Sequence, residues 1–279
     1  MSCPVCGSSR NTFIKKWTEK YDALRCTNCD LVFASPMKRP ADVYSQAYTK
    51  GAEYDVYLKM AGSVKKNGTR MLGWPYKAFL KYVKRNNLLT SKNTVFEVGC
   101  GAGHFVYLMN KSGYTCRGCD ISESACCAAK NLFGLDIIHI PFDDTAIDDA
   151  SLDIVIAFEL LEHLEKPTVF LRKANSALRD GGYLFLSTPD AETKWPFEWS
   201  SEKTVMPPFH LTIFSRKSLT YAAEKNGFRI VDFIQKPIPF RYEFMEKNFS
   251  FLSLLWEAFK SYLIGQKGVT LLCVMQKIL

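Results

Sequence analysis

The sequence predicts an α/β protein with a largely parallel sheet and a small cysteine-rich module at its N-terminus. From about residue 93, short apolar runs alternate with segments of helical periodicity, which is typical of β-α units. A glycine-rich loop follows the first of these runs, and two Cys-x-x-Cys pairs lie near the start of the chain. The 279 residues, of which 47% are hydrophobic, are enough for one full α/β core and a small added module.

The N-terminal module, residues 1–36, is predicted to be a zinc ribbon. Its two Cys-x-x-Cys pairs are separated by 19 residues, and a hairpin of that length can bring four thiolates to one tetrahedral ion. A redox role would need one such pair at the start of a helix that follows a strand, and a module without metal is the remaining alternative. Because so small a ribbon lacks a core of its own, the ion would supply most of its stability. The predicted metal ligands are Cys3, Cys6, Cys26 and Cys29.

Residues 37–92 are predicted to form a helical linker or lid between this module and the core. The segment is rich in aromatic residues and lysine, and residues 69–87 place their apolar side chains at helical spacing. Gly73 and Pro75 are expected to delay the start of that helix.

Residues 93–279 are predicted to form the core, with seven strands in a mostly parallel sheet. Residues 189–210 are rich in proline and tryptophan, which predicts a loop that covers a site, and a helix is expected from about Ser215. The predicted strands are Thr94–Val98, Tyr114–Asp120, Leu135–Ile140, Leu152–Phe158, Tyr183–Thr188, Phe228–Ile234 and Val269–Met275.

The run VFEVGCGAGHF, residues 95–105, indicates a nucleotide-type binding site. Glycine is needed where a chain turns tightly from a strand into a helix and where backbone must approach a ligand closely. Glu97 lies near the end of the strand, and Asp120 ends the next strand about twenty residues later, where a carboxylate can accept hydrogen bonds from both hydroxyls of a ribose. The spacing Glu-x-Gly-x-Gly-x-Gly differs from the Gly-x-Gly-x-x-Gly of dinucleotide folds.

This run resembles motif I of the class I methyltransferases that use S-adenosylmethionine (SAM), and the resemblance extends from about Thr94 to Gly227, including LDIVIAFELLEHLEKP. It implies a Rossmann-like methyltransferase sheet with SAM as cofactor. It also implies that Glu97 contacts the methionine moiety, that Asp120 binds the ribose, and that the backbone of the glycine loop passes close to the cofactor. The loop glycines are Gly99, Gly101 and Gly103.

The resemblance places the adenine side of the site near residues 142–158. Many relatives have an acid directly after the third strand, whereas this chain has Pro141 and Phe142 before Asp143. We carry over Phe142 for packing against adenine and Asp143 for a polar contact to its exocyclic amine, with a solvated turn residue as the alternative for Asp143. Phe158, at the end of the fourth strand, is also assigned to the cofactor pocket.

Methyl transfer to a weak nucleophile needs a base, and the chain has only four histidines. His163 follows the fourth strand, at the edge of the sheet where open α/β folds bind ligands, and a packing or capping role is its alternative. His210 follows the aromatic loop, and we assign it as a base or ligand on the acceptor side, against a packing role. Glu159 is the third catalytic candidate. Structural or surface roles are favoured for His104 and His139.

The order of ribbon, aromatic helical segment, core and PPFHLTIFS resembles bacterial methyltransferases of sugar and glycan biosynthesis. This resemblance implies a small-molecule acceptor, namely a sugar, a nucleotide sugar or a glycan intermediate, methylated on oxygen or carbon. An RNA methyltransferase and a non-enzymatic zinc-ribbon interaction protein are the alternatives. The net charge of +8 is dispersed, which permits nucleic acid as a partner without indicating it.

The N-terminus lacks the apolar region of a signal peptide, and no 18 consecutive apolar residues occur, so a cytoplasmic location is expected. Residues 248–265 are apolar over most of a predicted helix. That helix is expected to pack on the core, and contact with the membrane interface is the alternative.

Overall fold

The computed structural model describes residues 1–40, 52–193, 206–237 and 267–278. Its N-terminal part is an antiparallel meander of three strands, β1 (Asn11–Thr18), β2 (Tyr21–Cys26) and β3 (Val32–Ser35). The two cysteine pairs lie at one end of this meander: the first comes before β1, and in the second Cys26 ends β2 and Cys29 lies in the turn to β3.

Two helices connect the meander to the core, α1 (Ala52–Asn67) and α2 (Trp74–Arg85), with a 3₁₀ turn at Gly68–Met71 between them. The start of α2 confirms the expected effect of Gly73 and Pro75, because the helix begins directly after the glycine with the proline in its first turn. The buried side chains of α2 pack on the sheet, where the ring centroid of Phe79 lies 4.8 Å from that of Phe185.

The core is a six-stranded mixed sheet flanked by helices. The strand order is β5-β4-β6-β7-β10-β9, in which neighbours from β5 to β7 run parallel and β10 runs antiparallel to both β7 and β9. In chain order its elements are β4 (Thr94–Val98), α3 (His104–Lys111), β5 (Thr115–Cys119), α4 (Glu123–Phe133), β6 (Leu152–Phe158), α5 (Pro167–Ala177), β7 (Leu178–Pro189), β8 (Thr212–Ile213), α6 (Arg216–Lys225), β9 (Phe228–Pro237) and β10 (Lys267–Lys277), of which β8 lies outside this sheet.

The prediction of seven strands was wrong within the described residues. The predicted third strand, residues 135–140, makes only an isolated bridge in which Ile138 pairs with Cys119 at the edge of β5. Pro141 follows directly and has no N–H with which to extend a ladder, and periodicity alone does not separate a short apolar run from a strand. The other six predicted strands are confirmed, and the predicted helix after Ser215 is α6, with Ser215 as its N-cap.

Successive residues of the central strands point to opposite faces and build two core layers. Phe96 and Val155 face one layer with Phe170, whereas Val95 and Ile154 face the other. The second layer also holds Phe79 of α2 and Phe105 of α3, so the helical segment before the core covers one face of the sheet.

The N-terminal meander is joined to the core by β8, which pairs with β3 and completes a four-stranded sheet. The N–H of Ala34 donates to the carbonyl oxygen of Leu211 over 2.8 Å. Cys3 and Phe33 belong to the same buried cluster as Leu161 and other residues of the core. The N-terminal meander therefore shares its apolar interior with the large sheet.

No helix among the described residues is long and apolar enough to cross a bilayer. The segment 248–265, predicted to pack on the core or contact a membrane, lies outside the described residues, as does most of the aromatic loop, residues 194–205.

Candidate active site

The glycine loop lies between the end of β4 and the start of α3. Gly99, Gly101 and Gly103 have φ angles of 71°, 53° and 68°, which L-residues with a side chain rarely adopt. A Cβ at Gly103 would also come within 3.3 Å of side chains from α4 and the segment that follows it. The three predicted glycines therefore shape a tight loop at the carboxyl ends of β4 and β5.

Asp120 lies directly beneath this loop, at the end of β5. Its Oδ2 accepts a hydrogen bond from the N–H of Gly101 over 2.7 Å, and its Oδ1 accepts one from the N–H of Ser122 over 2.9 Å. Burial raises the pKa of Asp120 and the two N–H donors lower it. The backbone thus holds a carboxylate where the sequence predicts contact with a ribose.

Glu97 is buried in the floor of the site. Its Oε1 accepts a hydrogen bond from the hydroxyl of Tyr76 over 2.8 Å, whereas its Oε2 is buried with no hydrogen-bond partner among the described residues. Burial raises the pKa of Glu97 to about 8, the charge of Asp120 raises it further, and the Tyr76 hydroxyl lowers it. The unpartnered oxygen fits an incoming ammonium group, which the methionine moiety of SAM carries.

Sequence analysis missed Tyr76, which α2 places over the cofactor site. Its ring centroid lies 4.7 Å from that of Phe105 and 5.0 Å from that of Phe158, and its edge meets His104 at 5.5 Å. The available signal was a residue with a hydroxyl on the apolar face of an amphipathic helix. The helical segment predicted as a linker or lid thus contributes a polar group to the site.

The three residues predicted for the adenine side lie in different environments. Phe142 is buried between Phe96 and Phe170, at ring distances of 5.8 and 5.6 Å, and Phe158 is buried beside Tyr76. Asp143 is exposed in the 3₁₀ turn Phe142–Asp144. Partial burial and the charge of a neighbouring aspartate raise its pKa. Contact of these three residues with the cofactor stays a prediction.

A second group of polar residues lies beside the cofactor site, at the end of β6. Glu162 and His163 belong to the 3₁₀ turn Leu161–His163, and His210 lies two residues before β8. One potential ligand atom from each of the three lies within 4.8 Å of the others, and the two imidazole rings are 4.6 Å apart at 88°. We call these three residues the histidine cluster. The structure therefore brings the two predicted histidines together, and adds Glu162, which the sequence analysis did not assign.

Glu162 and His210 are buried, His163 is partly buried, and all three groups have shifted pKa values. Burial raises the pKa of Glu162 well above its usual value, and the charge of Glu159 raises it further. The nearby Thr188 hydroxyl lowers this pKa, although it lies outside hydrogen-bonding geometry. Burial lowers the pKa of His163 to about 4 and that of His210 to about 3. Both imidazoles are therefore neutral at pH 7.

The third catalytic candidate, Glu159, is exposed at the end of β6. Its Oε1 accepts a hydrogen bond from the Ser187 hydroxyl over 2.7 Å, and its own N–H donates to the carbonyl oxygen of Ser187 over 3.0 Å. Its φ of 50° is uncommon for a residue with a side chain and turns the chain sharply after the strand. Of the two other histidines, His104 is buried beneath Tyr76 and His139 is exposed near Ile121.

Comparisons with known proteins agree with this geometry. A family model described as a methyltransferase domain matches residues 71–232, which is more than half of the chain. The chain belongs to this methyltransferase family. A probable SAM-dependent methyltransferase of Mycolicibacterium smegmatis is 30% identical over 139 residues, which are 50% of this chain and 52% of that protein. A ubiquinone biosynthesis O-methyltransferase of Coxiella burnetii is 33% identical over 114 residues, 39% of this chain and 48% of that protein.

The chain spans about half the length of the curated relatives that it matches. Among solved structures, a SAM-dependent methyltransferase from Archaeoglobus fulgidus has a TM-score of 0.53 at 18% identity, over 81% of this chain and all of that one. The [4+2]-cyclase SpnF has a TM-score of 0.51 at 15% identity, over 72% of this chain and 80% of that one. These structures share the fold alone. The family match and the similarity to a probable SAM-dependent methyltransferase agree with the positions of the glycine loop, Glu97 and Asp120.

The four N-terminal cysteines of the methyltransferase converge. The sulfurs of Cys3 and Cys29 are 3.5 Å apart, those of Cys6 and Cys26 are 3.4 Å apart, and all four lie within 4.8 Å of one another as free thiols. A tetrahedral ion with metal–sulfur bonds of about 2.3 Å needs sulfurs roughly 3.8 Å apart. Hydrogen bonding from Cys29 lowers the pKa of Cys3 to about 5, whereas the same contact raises that of Cys29. The arrangement fits a thiolate-bound divalent ion.

Proposed function

We propose that this methyltransferase transfers the methyl group of SAM to a hydroxyl oxygen of a small-molecule acceptor, a sugar, nucleotide sugar or glycan intermediate. The observation that carries the proposal is the histidine cluster. It lies at the end of β6, which is the neighbour of β4 in the sheet, and β4 leads into the glycine loop. Phe158, the last residue of β6, contacts Tyr76, which in turn bonds Glu97, so the cluster adjoins the cofactor site.

Each part of the site has a separate task in this reaction. Bound SAM supplies a methyl group on a positively charged sulfur. Asp120 holds the ribose and Glu97 holds the methionine ammonium, so the methyl group is positioned for in-line attack. A sugar hydroxyl is a weak nucleophile, and the neutral histidine cluster is placed to take or weaken its proton. Exclusion of water by the buried histidines strengthens these interactions.

One comparison supports oxygen as the acceptor atom and adds a second candidate for the acceptor molecule. The Coxiella burnetii relative is named a ubiquinone biosynthesis O-methyltransferase, which favours transfer to oxygen and makes a phenolic acceptor the second candidate. The sugar or glycan class rests on the resemblance in motif order noted in the sequence. Methylation of RNA would instead require binding that weakens steeply with salt.

We further propose that Zn²⁺ is the ion held by Cys3, Cys6, Cys26 and Cys29, in a structural role. Four sulfur ligands leave no open position for a substrate, which is typical of structural zinc sites.

The test of the function combines product identification with one variant. Labelled SAM is supplied with fractionated cell extract, and the labelled product is identified by mass spectrometry. His210→Ala should leave the Kd for SAM unchanged and lower kcat by about 100-fold or more, which is the usual contribution of positioned proton transfer. His139→Ala is the matched control, because that exposed histidine lies outside the histidine cluster. Wild-type turnover in His210→Ala, or a labelled RNA as the sole product, would refute the proposal.

A further inference from the structure

We infer that Glu162, His163 and His210 form a second metal site, which binds a divalent transition-metal ion beside the acceptor. The role of this ion rests on the proposed function, whereas its binding does not. The site differs from the four-cysteine site in its ligand set, because two imidazoles and one carboxylate offer nitrogen and oxygen in place of sulfur. Two histidines and one carboxylate occur in metal sites that keep open positions for a reactant.

The spacing of the three groups fits one ion after a small contraction. Their potential ligand atoms lie within 4.8 Å of one another. A tetrahedral ion with bonds of about 2.1 Å places its ligand atoms roughly 3.4 Å apart. Binding of one ion would therefore bring the ligand atoms closer together by up to about 1.4 Å.

The burial of Glu162 is the second, independent observation. Its side chain is fully buried, and neither carboxylate oxygen makes a hydrogen bond within the described part of the chain. Nδ1 of His210 is likewise buried without a hydrogen-bond partner there. Buried polar groups normally have partners, and a buried carboxylate is costly without a cation. A metal ion between these residues would satisfy both groups together.

Neighbouring backbone holds the cluster in place. The carbonyl oxygen of Phe209 can only accept a hydrogen bond, so Nδ1 of His163, 3.1 Å away, carries the proton and donates it. In a neutral imidazole this leaves Nε2 as the nitrogen with a lone pair for the metal. Such a second bond from a ligating histidine to a carbonyl is common in metal sites. The N–H of Leu211 donates to the carbonyl oxygen of Glu162 over 2.8 Å and ties the two segments together.

An ion held here would activate the acceptor. A divalent cation lowers the pKa of a hydroxyl that it contacts. The hydroxyl proton then leaves to water, the oxygen forms a bond to the methyl carbon, and the electron pair of the broken carbon–sulfur bond stays on the sulfur of the cofactor. Glu159, exposed next to the cluster, lies on the side from which an acceptor would arrive.

The test uses Mn²⁺ as the probe, because it prefers carboxylate and imidazole over the thiolates of the ribbon. The full chain, as purified with its ribbon metal, is titrated with Mn²⁺, and free Mn²⁺ is followed by electron paramagnetic resonance. We expect one Mn²⁺ per chain in the wild type. In Glu162→Gln and in His210→Ala we expect its affinity to fall at least tenfold, since even the residues around metal ligands change affinity by about 10-fold to 100-fold.

The matched control is Glu165→Gln, which removes a carboxylate three residues after Glu162 that pairs with Arg39 over 3.6 Å and lies outside the histidine cluster. It should bind Mn²⁺ as the wild type does. Circular dichroism and the Kd for SAM establish that each variant is folded, since none of the substituted residues is assigned to the cofactor site. The proposal is overturned if the wild type retains no Mn²⁺, or if Glu162→Gln and His210→Ala bind it as tightly as Glu165→Gln.

The two proposals fail in different ways. If Mn²⁺ binds through the cluster but the labelled product is no sugar, glycan or other hydroxyl compound, the proposed function fails and the metal site stands. If His210→Ala loses turnover but no ion binds, the metal site fails and the cluster acts on the acceptor proton directly.

Discussion

The cofactor site and the histidine cluster lie at the ends of neighbouring strands, yet Asp120 in the first and Glu162 in the second differ in their hydrogen bonding. In the cofactor site, both oxygens of Asp120 accept hydrogen bonds from backbone N–H groups. In the histidine cluster, the carboxylate of Glu162 is more deeply buried and has no hydrogen-bond partner among the described residues. The carboxylate of Asp120 is thus held in place before a ligand arrives, whereas that of Glu162 has no such hydrogen bonds within the described part of the chain.

The difference follows from how each site is assembled. The glycine loop and Asp120 come from one β-α-β unit, so local chain geometry is enough to place them. The histidine cluster joins the turn after β6 to the residues before β8, and β8 is paired with the ribbon. Four predictions test this contrast, in order of decreasing effect.

Removal of the zinc ion proposed for the four cysteines should affect the two sites unequally. Structural zinc contributes about 10 kcal/mol or more to the folding of small zinc modules, so its loss should unfold β1–β3 and release β8. Leu211, held by Ala34 of β3, would then be freed next to His210. After chelation, circular dichroism should show loss of strand, turnover should fall at least about tenfold and the Kd for SAM should change less than about threefold.

Added Zn²⁺ should restore turnover. Mn²⁺ alone should not, because thiolates bind Mn²⁺ weakly. If turnover is unchanged while elemental analysis shows that zinc has gone, the ribbon does not support the histidine cluster.

Asp120→Ala should abolish measurable SAM binding. Two hydrogen bonds from the ribose to a charged acceptor contribute about 3–6 kcal/mol in total, which corresponds to a loss of roughly 100-fold or more in affinity. Calorimetry with SAM provides the measurement. Asp136→Ala removes an exposed carboxylate that pairs with Lys130 and should bind SAM normally. Binding within about tenfold of the wild type in Asp120→Ala would contradict the ribose assignment.

Glu162→Met should stabilise the protein in the absence of added metal. Replacing a buried, unpartnered carboxyl group by an apolar side chain of similar size gains about 1–3 kcal/mol in the free energy of unfolding. Glu97→Met is the matched comparison. It should gain less stability or lose stability, because the hydroxyl of Tyr76 would lose its hydrogen-bond acceptor. Urea denaturation measures both variants. Equal destabilisation in the two variants would show that Glu162 is satisfied in the native state.

The free energy of unfolding of the wild type should depend on pH through Glu162. Burial raises the pKa of Glu162 above its usual value of 4.5, so the folded state binds more protons than the unfolded state above that pH. Wild-type stability should therefore fall as the pH rises above 4.5. Glu162→Met should show a shallower fall.

SAM binding should release a proton from Glu97, the smallest of the four effects. With a pKa of about 8, Glu97 is mainly protonated at pH 7, and the ammonium of the methionine moiety favours its ionised form. Up to about one proton is released, equivalent to about 1.4 kcal/mol per pH unit. Calorimetry in buffers of different ionisation enthalpy measures it, with Glu97→Gln as the control. An enthalpy independent of buffer in the wild type would contradict the assignment.

The sequence predicted most of the fold because its signals are local. Alternating apolar runs identified six strands of the large sheet, and the requirement for positive φ identified the three glycines of the loop. Its error was the third strand, where a short apolar run makes one bridge and then meets Pro141. Its omissions were Tyr76 and Glu162, each of which reads as an ordinary helix or turn residue until its partners are known.

The cofactor side could therefore be predicted from sequence: the glycine loop, Glu97 and Asp120 follow from strand ends that neighbour each other along the chain, and the four cysteines follow from their spacing. Three contacts became visible only in the folded molecule. β8 joins the N-terminal meander to the core, Tyr76 reaches Glu97, and His163 and His210 meet around a buried carboxylate. Such contacts join segments far apart in sequence, and their energy comes from burial in a shared interior, which no local pattern records.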